Sequence, residues 1–260
     1  MAIERILPGS IEWDAFYANH ILRYQFAADI IDQTTVNCLL DAACGVGYGS
    51  AYLAKQPGIK KIVAIDRSQE ALKVANTHFK DSKISYLQDD CHTLAAASKH
   101  GMYDVIVSFE TLEHLPEPMD FLRSCFNYLN PEGKIVISTP NKSVSSPEQL
   151  NWEYHETEYT AKEFYQLLQT TGFKNIKLYG QQLNLKGKIK TEIRGDLNRL
   201  FSNPFIRTGI WLQSKLKGYK QQPILKETID DFEFVAFDNP TDCDLMGNEG
   251  PFVLLAVAVK

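Results

Sequence analysis

The sequence lacks the features of a membrane or secreted protein. No apolar run reaches the ~18 residues that a membrane-spanning helix needs. The first ten residues contain no basic segment followed by an apolar stretch, so we expect no signal peptide. The five cysteines are scattered and form no CxxC pair. This pattern predicts free thiols in a cytoplasmic protein and disfavours a structural zinc site.

Repeats and an excess of positive charge are also missing. No internal repeat or low-complexity tract stands out, and the net charge of −5 disfavours a nucleic-acid polymer as partner. The chain has 260 residues, 44% of them hydrophobic, which is enough for one large domain with its own core. We therefore expect a single large globular domain.

Short apolar runs that predict strands alternate with stretches that predict helices. Strands are expected at 36–40, 61–65, 84–87, 103–108, 134–138 and 176–179, and 232–237 with 252–259 are expected to form a closing hairpin. Helices are expected at 11–32 (one or two), 50–55, 69–79, 118–129 and 160–171. The alternation predicts an α/β fold with a Rossmann-like, seven-stranded, mostly parallel sheet.

Residues 183–230 interrupt this alternation with lysines and arginines interleaved with apolar side chains. We interpret them as a helical lid inserted into a domain made of 1–182 and 231–260. Alternatives are a surface for an anionic lipid or a nucleotide-linked sugar, a solvated insertion, and a homodimer contact. The residues of that contact would be Phe201, Phe205, Ile206 and Trp211.

A glycine-containing loop follows the first strand. Gly45 and Gly47 come just after Asp41, and glycines let a backbone turn sharply and approach a ligand. Asp66 ends the second strand and Asp90 follows the third. Ligands of open α/β sheets bind at the carboxyl ends of strands, so these residues predict a binding site there.

The spacing of Asp66 favours a ligand that carries a ribose. Asp66 lies about twenty residues past the glycines, where a carboxylate accepts hydrogen bonds from both ribose hydroxyls. Nicotinamide dinucleotides are bound in the same way, but the loop continues as Tyr48-Gly49 and does not read GxGxxG. Asp41 would repel a diphosphate and would pair with an α-ammonium group. The alternative is that both glycines only make a tight turn.

Three motifs carry a family resemblance. Asp41 to Ser50 reads DAACGVGYGS, Ser108 to Leu115 reads SFETLEHL, and Ile137 to Asn141 reads ISTPN. With them the chain resembles the class I S-adenosylmethionine-dependent methyltransferases, and within these the small-molecule and glycan-associated branch. The resemblance covers roughly residues 12–180 and the final strands.

The resemblance implies roles for individual residues. Gly45 and Gly47 would pass under the methionine and ribose of S-adenosylmethionine, and Asp66 would hold the ribose diol. An HxxRY pattern at His20, Arg23 and Tyr24 would face the cofactor, with Arg23 paired to the methionine carboxylate. A surface arginine among core aromatics is the alternative. Asp90 and Cys91 would contact the adenine, and Ser108 and Phe109 would line the methionine end, where Asp41 would pair with the α-ammonium group. Arg67 is also assigned to the cofactor.

A second group of residues predicts a metal site or a base. If the turn after the fourth strand is helical, Glu110, Glu113 and His114 stand at i, i+3 and i+4 and share one face. His155 lies in the loop after the fifth strand, at the same edge of the sheet. Two carboxylates and two imidazoles suit Mg²⁺, Mn²⁺, Fe²⁺ or Zn²⁺. Such a cation would lower the pKa of an aliphatic hydroxyl, which is ~16.

The ExxEH pattern is similar to that of small-RNA 2′-O-methyltransferases and of ubiquinone-pathway O-methyltransferases. By that resemblance Glu110, Glu113, His114 and His155 would be metal ligands. Alternatively, His114 or His155 acts as a general base without metal, or these residues are structural. The expected catalytic residues are Glu110, His114 and His155.

The sequence therefore predicts an S-adenosylmethionine-dependent O-methyltransferase that acts on a hydroxyl of a sugar or secondary metabolite. An N- or C-methyltransferase without metal is the first alternative. A regulatory S-adenosylmethionine-binding module and a dinucleotide oxidoreductase are the others.

Overall fold

The computed structural model describes residues 11–31, 35–144, 156–184, 186–188, 191 and 229–260. Within these ranges, none of the helices combines the length and the apolar character needed to cross a membrane. Most of the segment interpreted as an inserted lid, 183–230, lies outside them, so the lid and the homodimer contact stay predictions.

An eight-stranded sheet forms the centre of the fold, with strand order β3-β2-β1-β4-β5-β8-β6-β7. Strands β1 to β5 pair in parallel, whereas β8 is antiparallel to both β5 and β6. The Rossmann-like α/β class is confirmed. The strands are β1 Leu39–Ala42, β2 Ile62–Asp66, β3 Ile84–Gln88, β4 Tyr103–Phe109, β5 Leu129–Pro140, β6 Lys174–Leu183, β7 Phe232–Phe237 and β8 Val253–Val259.

The far half of the sheet corrects two expectations. The sheet has eight strands rather than seven, and β7 and β8 do not form a hairpin with each other. Instead β6 runs between them and pairs with both in antiparallel fashion. The two strands are close in the sequence, but their apolar residues do not specify which neighbour a strand pairs with.

In the described part of the chain, the following α-helices connect or cover the strands. They are α1 Ile11–Ile31, α2 Tyr48–Ala54, α3 Gln69–His78, α4 Pro118–Tyr128, α5 Ala161–Thr171 and α6 Pro240–Leu245. The N-terminal segment is thus one helix. The predicted start of α5 is confirmed, because the Thr160 side chain accepts from the Glu163 backbone N–H at 3.2 Å while Glu163 accepts from the Thr160 backbone N–H. Gly172 ends this helix in the left-handed conformation.

The two faces of the sheet carry separate apolar clusters. In β1, Leu39 packs with one cluster and Leu40 with the other, because successive side chains of a strand point to opposite faces. The first cluster includes Ile21 and Ala27 of α1, and the second includes Phe121 of α4. Burying such side chains stabilises the fold by roughly 1.5–3 kcal/mol each. Helix α1 is thereby fixed near the carboxyl ends of the central strands.

Candidate functional site

The loop after β1 leaves open space beside Gly45. The Cys44 backbone N–H donates to the Ile65 carbonyl at 2.8 Å, which joins the loop to the end of β2. Gly45 has φ +57°, and a Cβ added there would meet no heavy atom within 4 Å. The protein itself therefore does not require a glycine at this position for packing, whereas a ligand lying on the backbone would.

The next two glycines are required by packing. Gly47 has φ +88°, and a Cβ there would lie 2.7 Å from both the Ala75 Cβ and the Tyr86 hydroxyl. At Gly49 a Cβ would overlap the aromatic ring of Tyr24. Of the three glycines in the loop, only Gly45 thus combines a positive φ with open space, so it is the position where a ligand fits best.

Asp41 is fully buried at the end of β1. Its carboxylate accepts from the Ser50 hydroxyl at 2.5 Å and from the Tyr24 hydroxyl at 3.4 Å. Burial raises its pKa to about 7 against the lowering effect of these two donors. Because Asp41 has no exposed surface, the expected pairing of its carboxylate with an α-ammonium is not favoured by this geometry.

Asp66 lies at the carboxyl end of β2 and is 6% exposed. Its Oδ2 accepts from the Gly45 N–H at 3.0 Å, and its Oδ1 accepts from the Ser68 N–H at 2.8 Å. These two bonds fix the carboxylate beside the open space at Gly45. A carboxylate oxygen can accept more than one hydrogen bond, so these contacts do not prevent Asp66 from also binding a ligand. Arg67 follows directly, with its carbonyl bound by the Gln88 side chain.

The segment after β3 places Asp90 at the rim. Asp89 accepts from two backbone N–H groups, those of Ala96 and Ala97, and is therefore structural. Asp90 is 66% exposed and accepts from the backbone N–H of His92 at 2.8 Å, which lowers the pKa of Asp90. Burial raises the pKa of the neighbouring Cys91 thiol to about 12, so Cys91 is a thiol at neutral pH.

The end of β4 contacts the same region from the other side. Phe109 packs edge-on against Tyr24 with ring centroids 4.8 Å apart. Ser108 is fully buried, and its hydroxyl has no hydrogen-bond partner in the described part of the chain. An unpaired buried hydroxyl is unfavourable, and a ligand group would satisfy it.

Arg23 is buried on the inner side of α1, with 1% of its surface exposed. Its Nη2 donates to the Asn19 Oδ1 at 3.2 Å and lies 3.6 Å from Glu110 Oε2. Its Nε and Nη1 are buried and find no acceptor among the described residues. Two unpaired N–H groups on a buried cation indicate that an anionic ligand group belongs beside them. Burial, and next the Arg23 charge, lower the pKa of His20 well below its usual value.

Glu110 does not lie in a helix, so the expected common face of Glu110, Glu113 and His114 is wrong. Its φ is +51°, and the following 3-10 helix begins only at Leu112. The Ser138 hydroxyl donates to Glu110 Oε1 at 2.7 Å and accepts from the Glu110 N–H at 3.2 Å. This double contact stabilises the left-handed conformation, which a non-glycine residue rarely adopts.

Glu113 is fully buried, and burial together with the Glu110 charge raises its pKa well above the usual range. Its Oε2 accepts from the Thr139 hydroxyl at 3.1 Å, and its Oε1 lies 3.7 Å from His114 Nε2. The His114 side chain is 24% exposed. A buried carboxyl and a partly exposed imidazole thus face each other at the edge of the sheet.

The described residues do not fit a metal ion by themselves. Among them, no three His, Cys, Asp or Glu side chains converge as a metal site would require. Glu110 is occupied by Ser138 and by the Arg23 guanidinium, whose charge opposes a cation. His155, the fourth predicted ligand, lies outside the described residues.

The sequence interpretation missed the residues that hold this site in place. Ser138 and Thr139 lie within the ISTPN motif, so their position in a motif was the available signal. Asn19 and Gln181 join α1 to β6 through hydrogen bonds of 2.7 and 2.9 Å. They are 162 positions apart in the chain, and no local pattern links them.

Known proteins are similar to this chain in sequence. A family model for the methyltransferase domain matches residues 16–178, more than half of the chain. The chain is 30% identical over 173 residues to the "Probable S-adenosylmethionine-dependent methyltransferase" of Mycolicibacterium smegmatis, covering 65% of this chain and 63% of that protein. It is 32% identical over 127 residues to the "Ubiquinone biosynthesis O-methyltransferase" of Vibrio campbellii, covering 48% of this chain and 53% of that protein.

A solved structure shows the same fold. The SAM-dependent methyltransferase from Archaeoglobus fulgidus superposes with a TM-score of 0.56 at 18% identity, covering 93% of this chain and 94% of that one. The sequence matches to the Mycolicibacterium smegmatis and Vibrio campbellii relatives cover 63% and 53% of those proteins, so this chain spans only part of their lengths. The chain therefore belongs to the methyltransferase domain family, within the class I S-adenosylmethionine-dependent methyltransferases.

Proposed function

We propose that the protein is an S-adenosylmethionine-dependent O-methyltransferase that methylates a hydroxyl of a small molecule, a sugar or a secondary metabolite. The observation that carries the proposal is the open space at Gly45 beside the carboxylate of Asp66, together with the buried Arg23, whose Nε and Nη1 have no acceptor among the described residues. The Asp66 carboxylate suits a ribose diol, and the buried Arg23 cation suits a carboxylate. S-adenosylmethionine carries both of these groups.

Different residues around this space would bind different parts of the cofactor. Asp66 would accept from the ribose hydroxyls, and Arg23 would donate to the methionine carboxylate through Nε and Nη1. Asp90 would accept from the adenine amine, since its carboxylate is exposed at the rim. When bound, the cofactor supplies an electrophilic methyl group on a sulfonium. The remaining predicted contacts are Gly47, Arg67, Cys91, Ser108 and Phe109.

The acceptor hydroxyl has to lose its proton as its oxygen attacks the methyl carbon and S-adenosylhomocysteine leaves, because a neutral hydroxyl is a weak nucleophile. His114 is the base that the geometry favours, since its imidazole is partly exposed at the carboxyl edge of the sheet. Glu113 Oε1 lies 3.7 Å from His114 Nε2, and burial raises the pKa of the Glu113 carboxyl well above its usual range. Glu110, held by Ser138, keeps Arg23 oriented. The identity of the Vibrio campbellii relative as an O-methyltransferase supports a hydroxyl acceptor.

Metal assistance is the alternative mechanism for the same reaction. It requires His155 to join Glu113 and His114, and the described part of the chain supplies no complete ligand set. We therefore assign no step to a metal.

The test uses radiolabelled methyl transfer to paired acceptors, in which a phenol or sugar hydroxyl is matched by the corresponding amine. Label in the hydroxyl members supports the proposal, whereas label only in the amines refutes it. A His114→Gln change should lower kcat about 100-fold or more, because a general base contributes that much. Binding of S-adenosylhomocysteine should stay unchanged. The matched control is His100→Gln, which lies in a 3-10 helix away from the site.

A further inference from the structure

Gln181 of β6 is fully buried, yet its side chain is only half satisfied. Its Nε2 donates to the Asn19 carbonyl at 2.9 Å and to the Asn19 Oδ1 at 2.7 Å. Its Oε1 is buried without a hydrogen-bond partner among the described residues. Both contacts of the amide nitrogen are oxygen acceptors, so the orientation of the amide is fixed and an exchange of its N and O atoms would create two repulsions.

Asn19 also contacts Arg23. The same Oδ1 atom that accepts from Gln181 also accepts from Arg23 Nη2, at 3.2 Å. On its other side Nη2 meets Glu110 at 3.6 Å. Among the described residues the guanidinium is therefore held at Nη2, and Nε and Nη1 have no acceptor. Because Asn19 lies one helical turn before Arg23, fixing the Asn19 side chain fixes the guanidinium.

We infer that Gln181 is a positioning residue for cofactor binding: it acts through Asn19 on Arg23, and thereby on the amino-acid end of S-adenosylmethionine. This inference rests on the proposed role of Arg23. It connects the antiparallel half of the sheet to the cofactor, since β6 is separated from β4 by two strands. Neither Gln181 nor Asn19 needs to touch the ligand.

The experiment compares two ligands by isothermal titration calorimetry. S-adenosylhomocysteine carries the amino-acid end, and 5′-methylthioadenosine lacks it. The variants are Gln181→Met, Arg23→Met and, as matched control, Gln182→Met. Gln182 is the next residue of the same strand and makes a comparable hydrogen bond of 2.8 Å to Glu233 in an exposed place.

Gln181→Met should weaken S-adenosylhomocysteine about tenfold, the size expected for one lost hydrogen bond in a buried network, and should change methylthioadenosine by less than about twofold. Gln182→Met should leave both affinities unchanged. Equal weakening of both ligands by Gln181→Met would show a merely structural role and overturn the inference. If Arg23→Met weakens S-adenosylhomocysteine and Gln181→Met does not, the relay is refuted while the proposed function stands. If Arg23→Met has no effect, the role of Arg23 fails, and the inference with it.

Discussion

Replacing Gly49 by alanine tests how α1 is attached to the cofactor loop. A Cβ at this position would overlap the ring of Tyr24, which is buried and cannot move without losing its contacts. Tyr24 packs on Tyr48 and Phe109 and donates a hydrogen bond to Asp41. The change therefore forces α1 away from the start of α2.

The magnitude follows from three contributions. Overpacking a core costs typically 1–3 kcal/mol, and loss of the Tyr24–Asp41 hydrogen bond adds about 1 kcal/mol. Alanine in place of glycine within a helix offsets about 1 kcal/mol of this. The net destabilisation of Gly49→Ala is about 2 kcal/mol, which lowers Tm by roughly 4–8 °C in a chain of this size.

The assay is thermal unfolding followed by circular dichroism, with a double-mutant cycle. In a Tyr24→Ala background the space is open, so Gly49→Ala should become neutral or slightly stabilising there. A Gly49→Ala protein as stable as the parent would refute the reasoning. So would an equal loss of stability in both backgrounds, because the overlap with Tyr24 could then not be the cause.

Two further predictions concern charge and metal. The pKa of Asp41 is about 7 in the fold and about 4 in an unfolded chain, so the parent should lose stability relative to Asp41→Asn as pH rises from about 4 to about 7. Chemical denaturation at several pH values measures this, and parallel curves for both proteins would contradict it. Activity in a chelator should persist if His114 acts as a base, because the described residues offer no complete metal site. Loss of turnover in the chelator, with recovery on adding one divalent metal, would favour the metal-assisted alternative.

Local patterns predicted the first half of the fold well. A strand with a terminal acid and a glycine loop follow one another within a few residues at Asp41 to Gly47, and a second strand ends in an acid at Asp66. The placement of these features needs no long-range information. The start of α5 was equally readable, because a capping box lies within four residues. Both kinds of signal depend on neighbours in the sequence.

Features that depend on distant residues could not be predicted in this way. The position of β8 between β5 and β6 is set by pairing across the sheet. The apolar run of β8 would fit other strand partners equally well. The turn of Glu110 into the left-handed region depends on Ser138, 28 positions away. A helical spacing rule therefore placed Glu110 on the wrong face.

The most direct test of the central claim is calorimetric binding of S-adenosylhomocysteine to the parent and to Asp66→Ala. The account predicts one site per chain in the parent, no competition by NADH, and an affinity at least about tenfold weaker in the variant, because two hydrogen bonds to the ribose are lost. Failure of the parent to bind, or equal affinity of both proteins, would contradict the assignment of the space between Gly45 and Asp66 to the cofactor.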